Sequence, residues 1–233
     1  MKHLLPLTAF VLLLTGCTTR SISDSDYRNP YGWGRPSNLS YKGELTELDI
    51  LGAAPKQEAT TTNIVSALEK SSVPKMRRGD KLILIQSGAS VPDHQMIEEA
   101  SRYFAVAPFS GVPPTSKDGM ADSLRLRAAQ GGFRFVVCYW GVLESAQEDR
   151  EGKVVSWVPI VGAFVPDQKQ KMRIRLRALL LDVASGSWKM LTPQTQDDAG
   201  YNSRVSRESS DQKLVESLKE RGYKSLVADL LKE

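Results

Sequence analysis

Short strand-like and longer helical runs of apolar residues alternate along the chain after residue 43. Residues 81–86 form a nearly continuous apolar run, which is typical of a strand buried on both faces. Four further stretches are dense in β-branched, aromatic and other apolar residues and are bounded by turn residues. The pattern therefore predicts five strands, at residues 81–86, 104–109, 133–143, 172–183 and 188–191.

Between the strands, apolar residues recur at helical spacing. The spacing predicts helices at residues 44–51, 61–69, 93–103 and 119–130, and a C-terminal helix from Asp211 onward that is interrupted at Gly222. In the second helix, Ile64, Ala67 and Leu68 share one face, which we expect to cover the sheet. The order of elements predicts an α/β (α+β) fold, with a mixed β-sheet of about five strands and helices packed on it.

The first seventeen residues carry a different pattern. A single basic residue, Lys2, precedes an apolar run at residues 4–14 that is too short to span a bilayer and is typical of an export signal. The run ends in the sequence LTGC, which resembles the lipobox of bacterial lipoproteins. The resemblance implies that residues 1–16 are a signal peptide and that Cys17 carries a diacylglyceryl group and an acyl chain such as palmitate. The alternative is a secreted protein whose signal ends near a cysteine.

Residue 18 is Thr rather than Asp, which by the sorting habit of bacterial lipoproteins implies the outer membrane, with the body of the protein in the periplasm. Residues 17–43 are rich in Ser, Asn, Gly, Pro and Asp and show no sustained period, so they predict a lipidated flexible tether. As a coil, this tether would reach roughly 30 Å from the membrane. We expect residues 44–233 to form a single α/β domain with its core at about 80–231.

The order of elements in that domain resembles the anticodon-binding-like α/β domain of bacterial envelope proteins. Members are the curli-export pore lipoprotein, the penicillin-binding-protein activator lipoprotein and the N-terminal domain of the Tol translocation protein. The likeness is carried by the strand at 104–109, the helix and strand at 121–140, and the strand-turn-strand at 174–190 with Asp182 and Gly186. The resemblance implies a role in envelope assembly, export or enzyme activation through protein contacts.

Composition restricts the partners and the redox chemistry. The formal net charge is +4 over 233 residues, which by itself predicts no strong affinity for nucleic acid. If Cys17 is lipidated, Cys138 is the remaining cysteine of the sequence and no intramolecular disulfide forms. The histidines and cysteines are too few for a zinc site, and no phosphate-loop or dinucleotide motif is present, so the sequence predicts no metal and no cofactor.

Five basic residues occupy every second position of the predicted strand at 172–183 and its approach. They are Lys169, Lys171, Arg173, Arg175 and Arg177, and the apolar residues Met172, Ile174, Leu176 and Ala178 fill alternate positions. Because a strand directs successive side chains to opposite faces, these five form one row, which we call the basic ladder. The ladder is a candidate site for lipid phosphates, peptidoglycan carboxylates or an acidic protein. The alternative is cross-strand pairing with Glu144, Glu148, Asp149 or Glu151.

An apolar insertion at residues 148–168 lies between two predicted strands. A transmembrane hairpin should alternate apolar and polar residues, whereas residues 154–166 of the insertion are apolar almost throughout and contain prolines. The insertion therefore predicts a cover over the core of the domain, with a partner-binding patch as the functional alternative. Such a patch would contact either a membrane or a protein.

No catalytic set is evident in the sequence. A hydrolase would need Ser87 or Ser90 to act as nucleophile with His94 as base, and the serines match no nucleophile-elbow motif. Cys138 lies in an apolar run and reads as a core residue. The sequence thus favours an outer-membrane lipoprotein that acts as a non-enzymatic binding or assembly module, with an envelope protein or peptidoglycan as its partner. The alternatives are a periplasmic hydrolase such as a peptidase and an oligomeric export-pore component.

Overall fold

The computed structural model describes residues 21–24, 41–52, 60–116, 118–148, 155–159, 170–200 and 207–232. Within these ranges the helices are α1 (Glu47–Leu51), α2 (Thr61–Lys70), α3 (His94–Ser101), α4 (Met120–Gln130) and α5 (Arg207–Leu230). The strands are β1 (Lys81–Gln86), β2 (Ala105–Phe109), β3 (Phe135–Glu148), β4 (Val155–Pro159), β5 (Gln170–Asp182), β6 (Trp188–Leu191) and β7 (Gln196–Gly200).

All seven described strands belong to one mixed sheet. Five of them follow one another in the order β2-β1-β3-β5-β6, and β4 and β7 lie off this path. β1 is parallel to both β2 and β3, whereas β3 and β5 are antiparallel. The long strands β3 and β5 continue past their first neighbours, and there β4 pairs with β3 and β7 pairs with β5. The α/β (α+β) class predicted from the sequence is confirmed. The two additional strands are β4, from the apolar insertion, and β7, whose sequence QDDAG carries no apolar alternation.

Helices cover both faces of the sheet, because β1 and β3 are apolar on each side. α3 and α5 cover one face, where the core includes Leu84, Val137, Met96 and Leu226. α1 and α4 lie on the other face, where Ile50 and Leu124 join a second cluster with residues of β1, β3 and β5. The chain crosses from β1 to β2 through α3 and from β2 to β3 through α4, so the direction of winding reverses at β1. In open α/β sheets, the carboxyl end of the strand at such a reversal is a frequent binding position.

Two helices differ from the prediction. α2 has no buried residue, and Ile64 and Leu68 are 51% and 68% exposed, so the prediction that this face covers the sheet is wrong. The reason is that α1, α3, α4 and α5 already occupy both faces of the sheet. α5 is continuous through Gly222, where the structure requires a small residue rather than a break. A Cβ at Gly222 would lie 2.9 Å from Cδ1 of Leu176.

The described helices include none with the length and apolar content needed to span a bilayer.

Candidate functional site

Residues 21–24, which we call the docked segment, are built into the sheet. Ser21 forms an antiparallel bridge with Val142, and the amide N of Ile22 donates to the carbonyl O of Gly141 at 2.9 Å. The segment therefore occupies the edge of β3 between the end of β1 and the C-terminal end of β4, where Pro159 pairs with Glu144. Ile22 is 1% exposed and belongs to the core cluster beneath α5. This differs from the flexible tether predicted over 17–43, because a single apolar residue in a polar stretch gives no periodic signal.

Gly141 makes room for this contact. A Cβ at Gly141 would lie 2.6 Å from Cδ2 of Leu176 and 2.9 Å from Cδ1 of Ile22, closer than carbon atoms pack. The side chain of Ile22 thus fills space over β3 that any other residue at position 141 would occupy. A second close approach occurs at Gly88, where a Cβ would lie 2.7 Å from Cε2 of Tyr41. Both glycines allow N-terminal residues to lie directly on the sheet.

Polar side chains at the carboxyl end of β1 hold the docked segment in place. The Ser23 hydroxyl donates to the carbonyl O of Ser87 at 2.6 Å and accepts from Nε2 of Gln86 at 3.0 Å. Oε1 of Gln86 in turn accepts from the Tyr139 hydroxyl at 2.6 Å and from the amide N of Asp93 at 2.7 Å. All five residues are buried, so each bond satisfies a group that water does not reach. The position at which α/β sheets often bind a ligand is here occupied by the chain's own N-terminal residues.

A buried ion pair adjoins this network. Nζ of Lys219 on α5 lies 2.9 Å from Oδ2 of Asp93, and the Tyr223 hydroxyl donates to the same oxygen at 2.6 Å. The side chains of Lys219 and Asp93 are each 8% exposed. Burial raises the pKa of Tyr223 well above its ordinary value, and the neighbouring Tyr139 and Asp93 act in the same direction. The tyrosine hydroxyl therefore stays a proton donor to Asp93 and fixes α5 against the start of α3.

The basic ladder lies on β5 as the alternation predicts. Met172, Ile174 and Leu176 are buried beneath α5, whereas the side chains of Arg175 and Arg177 on the opposite face are 51% and 49% exposed. Lys171 and Arg173 are partly buried, and Lys169 lies outside the described residues.

All three arginines of the basic ladder have carboxylate partners. Glu144 on β3, whose side chain is 6% exposed, accepts from Nε of Arg173 and from Nε and Nη2 of Arg175, the last two at 3.0 and 2.6 Å. Burial acts to raise the pKa of Glu144, but the hydrogen bonds and charges of the two arginines outweigh it and hold that pKa below its ordinary value. Arg177 pairs with Glu47 of α1 and stacks over the Trp140 ring at 5.0 Å from the centroid. The cross-strand pairing with Glu144 named as the alternative is therefore present.

The structure does not assemble the residues considered for hydrolysis. The Ser87 hydroxyl accepts from the amide N of Leu45 at 2.8 Å and is buried, whereas Ser90 is exposed. His94 is 82% exposed and Nε2 lies 3.2 Å from Glu98 on the same helix. Cys138 is fully buried, and burial raises the pKa of its thiol well above the ordinary value, which disfavours the reactive thiolate. Among the described residues, no group of His, Cys, Asp and Glu is arranged to hold a metal ion.

A model of the YafT bacterial lipoprotein family matches residues 46–233. The chain belongs to this family. Membership of the YafT family confirms the prediction of a lipoprotein and implies attachment to a membrane through lipid. Cys17, the predicted attachment residue, lies outside the described residues, as does most of the apolar insertion apart from β4.

Comparison of this chain with solved structures gives weak matches. Two PelC dodecamer structures from Paraburkholderia phytofirmans have TM-scores of 0.29 and 0.25 at 15% and 17% identity, covering 66% of this chain and 95% and 94% of theirs. The hypothetical protein CT253 from Chlamydia trachomatis has a TM-score of 0.29 at 14% identity, covering 65% of this chain and 99% of its own. No curated protein matches the chain. TM-scores this low carry no argument about function, and the resemblance to the anticodon-binding-like domain stays a prediction.

Proposed function

We propose that this member of the YafT family is an outer-membrane lipoprotein, anchored through Cys17, that presents its α/β domain to the periplasm as a binding or assembly module. The lipobox supports Cys17 as the attachment residue, and Thr18 supports the outer membrane. An envelope protein or peptidoglycan is the proposed partner, and nucleic acid is not.

The observation that carries the proposal is the docked segment. The residues that follow the proposed lipid attachment site by a few positions are part of the folded core, since Ile22 is 1% exposed. Attachment at Cys17 would therefore fix the position of the whole domain relative to the membrane. Such a placement suits a protein that presents a surface to a partner in the same envelope.

The side chains considered for catalysis support a non-enzymatic role. Ser87 is bound to the backbone of Leu45, and the Cys138 thiol is buried without access to substrate. A nucleophile needs a base within hydrogen-bond reach, and His94 is bound to Glu98 instead. These engagements favour a binding module over the hydrolase alternative.

Fractionation of cells with matched cysteine variants tests the anchor. Wild-type protein and Cys138→Ala should both sediment with the outer membrane, whereas Cys17→Ala should lose the lipid and leave that fraction. Mass spectrometry of the N-terminal peptide identifies the modification in the first two. An unmodified thiol at Cys17, or a Cys17→Ala protein that remains in the outer membrane, would contradict the proposal.

Crosslinking in intact envelopes, followed by capture of the wild-type protein, tests the binding role. We expect the same envelope protein or peptidoglycan fragments in repeated captures, and their loss from the Cys17→Ala protein. Hydrolysis of peptide or ester substrates by purified protein, abolished in His94→Ala, would instead establish the hydrolase.

A further inference from the structure

We propose that the docked segment holds the basic ladder against the lipid headgroups of the membrane in which the protein is anchored, so that the arginines contact lipid phosphates. The inference rests on lipidation of Cys17, which the preceding section proposes. The domain would then have one orientation, with the basic ladder on the surface that faces the bilayer.

The first step is the length of chain between anchor and fold. Four residue steps separate Cys17 from Ser21, and even a fully extended chain spans at most about 3.6 Å per residue, or about 14 Å in all. Because Ser21 is bridged to Val142 and Ile22 is buried, the rest of the predicted tether adds nothing to this distance. The domain is therefore confined near the membrane surface, well inside the roughly 30 Å reach of a free coil of residues 17–43.

The second step is the direction in which the chain arrives. The docked segment runs antiparallel to β3, so its N-terminal end is directed along β3 toward Glu144 and the pairing with β4. The hairpin turn after β5 lies at the other end of β3, where Phe135 pairs with Asp182. Seven residue steps along the strand lead from Phe135 to Val142, which is roughly 24 Å at 3.4 Å per residue. The anchor therefore approaches one end of the sheet and not the other.

The third step places the ladder beside the anchor. Val142 is flanked by Ser21 on one side and by Arg175 of β5 on the other. Neighbouring strands lie about 4.8 Å apart, so the backbone of Arg175 is about 10 Å from that of Ser21. This is shorter than the chain that joins Ser21 to Cys17. Lipid headgroups around the anchor are thus within reach of the ladder.

The fourth step is the chemistry that the ladder presents outward. The Glu144 side chain is 6% exposed and lies beneath the guanidinium groups of Arg173 and Arg175, whose cationic atoms extend further out. Other carboxylates on this face include Glu47, which is paired with Arg177, Glu44, which also feels the charge of Arg177, and the exposed Asp197, opposite Arg173 on β7. The guanidinium groups of Arg175 and Arg177 are about half exposed on this face, whereas the Glu144 carboxylate is buried beneath them. A guanidinium group binds phosphate through two parallel hydrogen bonds, which matches a lipid headgroup.

The opposite face of the sheet is not available for this contact. α5 covers it at the same level, where Gly222 packs against Leu176 and Arg221 pairs with Asp198 of β7. The ladder face is thus the one that can turn toward the bilayer while the docked segment stays in place.

Fluorescence quenching in vesicles tests this orientation. Lipidated full-length protein is reconstituted in phosphatidylglycerol and phosphatidylethanolamine vesicles that carry a headgroup quencher, with a single label on an introduced cysteine. One label position is Leu48→Cys, because Leu48 lies on α1 beside the Glu47–Arg177 pair and is 67% exposed. The other is Ala184→Cys, because Ala184 lies in the distant turn after β5. Cys138 is buried and does not take the label. We expect quenching at position 48 to exceed that at position 184 several-fold.

Two matched insertions separate docking from mere anchoring. Ten Gly and Ser residues between Thr19 and Arg20 lengthen the chain from lipid to docked segment, whereas the same ten residues after Gly34 leave that length unchanged. We expect the first insertion to abolish the several-fold contrast and the second to preserve it. Equal effects of the two insertions, or no effect of either, would overturn the inference.

A paired set of charge variants tests the phosphate contact. Arg175→Gln with Arg177→Gln should reduce quenching at position 48 several-fold, because the outward guanidinium groups are removed. Lys213→Gln with Lys224→Gln removes the same charge from exposed positions on α5 and should leave quenching unchanged. Thermal unfolding verifies that each variant is folded, since Arg175 also binds Glu144. Equal quenching in the two double variants would reject the arginine contact.

Mass spectrometry of the same samples distinguishes failure of the proposed orientation from failure of the proposed lipid anchor. Lipid on Cys17 without a difference between the labels overturns the orientation and leaves the anchor in place. An unmodified Cys17 overturns both.

Discussion

Replacement of Ile22 by Ala tests the contribution of the docked segment to stability. The Ile22 side chain is 1% exposed and contacts β3 at Gly141, where Cδ1 and Cγ2 lie at the position a Cβ would approach. The substitution removes three buried carbon atoms, each worth about 0.8 kcal/mol of transfer free energy, so the transfer loss is about 2.4 kcal/mol. The cavity left behind adds to this, and buried Ile→Ala changes cost about 2–5 kcal/mol.

The loss has an upper limit set by the fold. If the docked segment detaches before the sheet unfolds, the measured loss is limited to the free energy with which the segment docks. We therefore expect the free energy of unfolding to fall by about 2–3 kcal/mol, near the lower end of that range. Urea unfolding of the mature chain, followed by circular dichroism, measures it.

Ile64→Ala is the matched control, because Ile64 is 51% exposed on α2. We expect it to change the free energy of unfolding by no more than about 0.5 kcal/mol. A loss for Ile22→Ala as small as that of the control would show that the segment contributes no docking energy. The docked segment would then not fix the position of the domain.

Three further changes test other contacts. Gly141→Ala places a Cβ 2.6 Å from Leu176 Cδ2, so we expect a loss of about 1–3 kcal/mol in urea unfolding; an unchanged midpoint would contradict the close approach. Lys219→Met leaves the Asp93 carboxylate buried without its cation and should cost about 3–5 kcal/mol, with partial recovery on adding Asp93→Asn. The pKa of Glu144 is lowered in the folded state, so its carboxylate stabilises the fold above its ordinary pKa of 4.5, and this stabilisation is lost as pH falls through the lower folded value. Glu144→Gln should flatten that acid-side fall in stability, and an unaltered pH profile would contradict the pairing with Arg173 and Arg175.

The sheet was predictable because its strands are long apolar runs with clear ends. β1 and β6 have the predicted bounds, and the other strands predicted from these runs begin or end within a few residues of them, apart from the longer C-terminal end of β3. β7 was not predictable, since its polar sequence QDDAG joins the sheet only because β5 extends past β6 and offers a free edge. The helical spacing of α2 predicted a helix correctly but not its burial. The apolar face of a helix is buried only where no other helix already covers that part of the sheet.

The candidate site was less accessible to sequence reasoning. The alternation on β5 indicated the basic ladder and named Glu144 among its partners, because cross-strand pairs follow from the pleat. Ile22 gave no such signal, since one apolar residue in a polar stretch has no period. The sole local indication was Gly141 within an otherwise bulky strand, which is typical of a close backbone approach. The network of Gln86, Ser23 and Tyr139 depends on that same long-range contact.

The docked segment also orders the events by which such a protein matures. Ser21 meets Val142 and Ile22 meets the strand that contains Leu176, so the segment finds its partners late in synthesis. In a chain exported N-terminus first, residues 21–24 therefore have no partner to dock on until the later strands have crossed and paired. The acylation proposed for Cys17 would thus precede the docking of residues 21–24. Maturation would then precede the completion of folding, and no separate factor would be needed to delay folding.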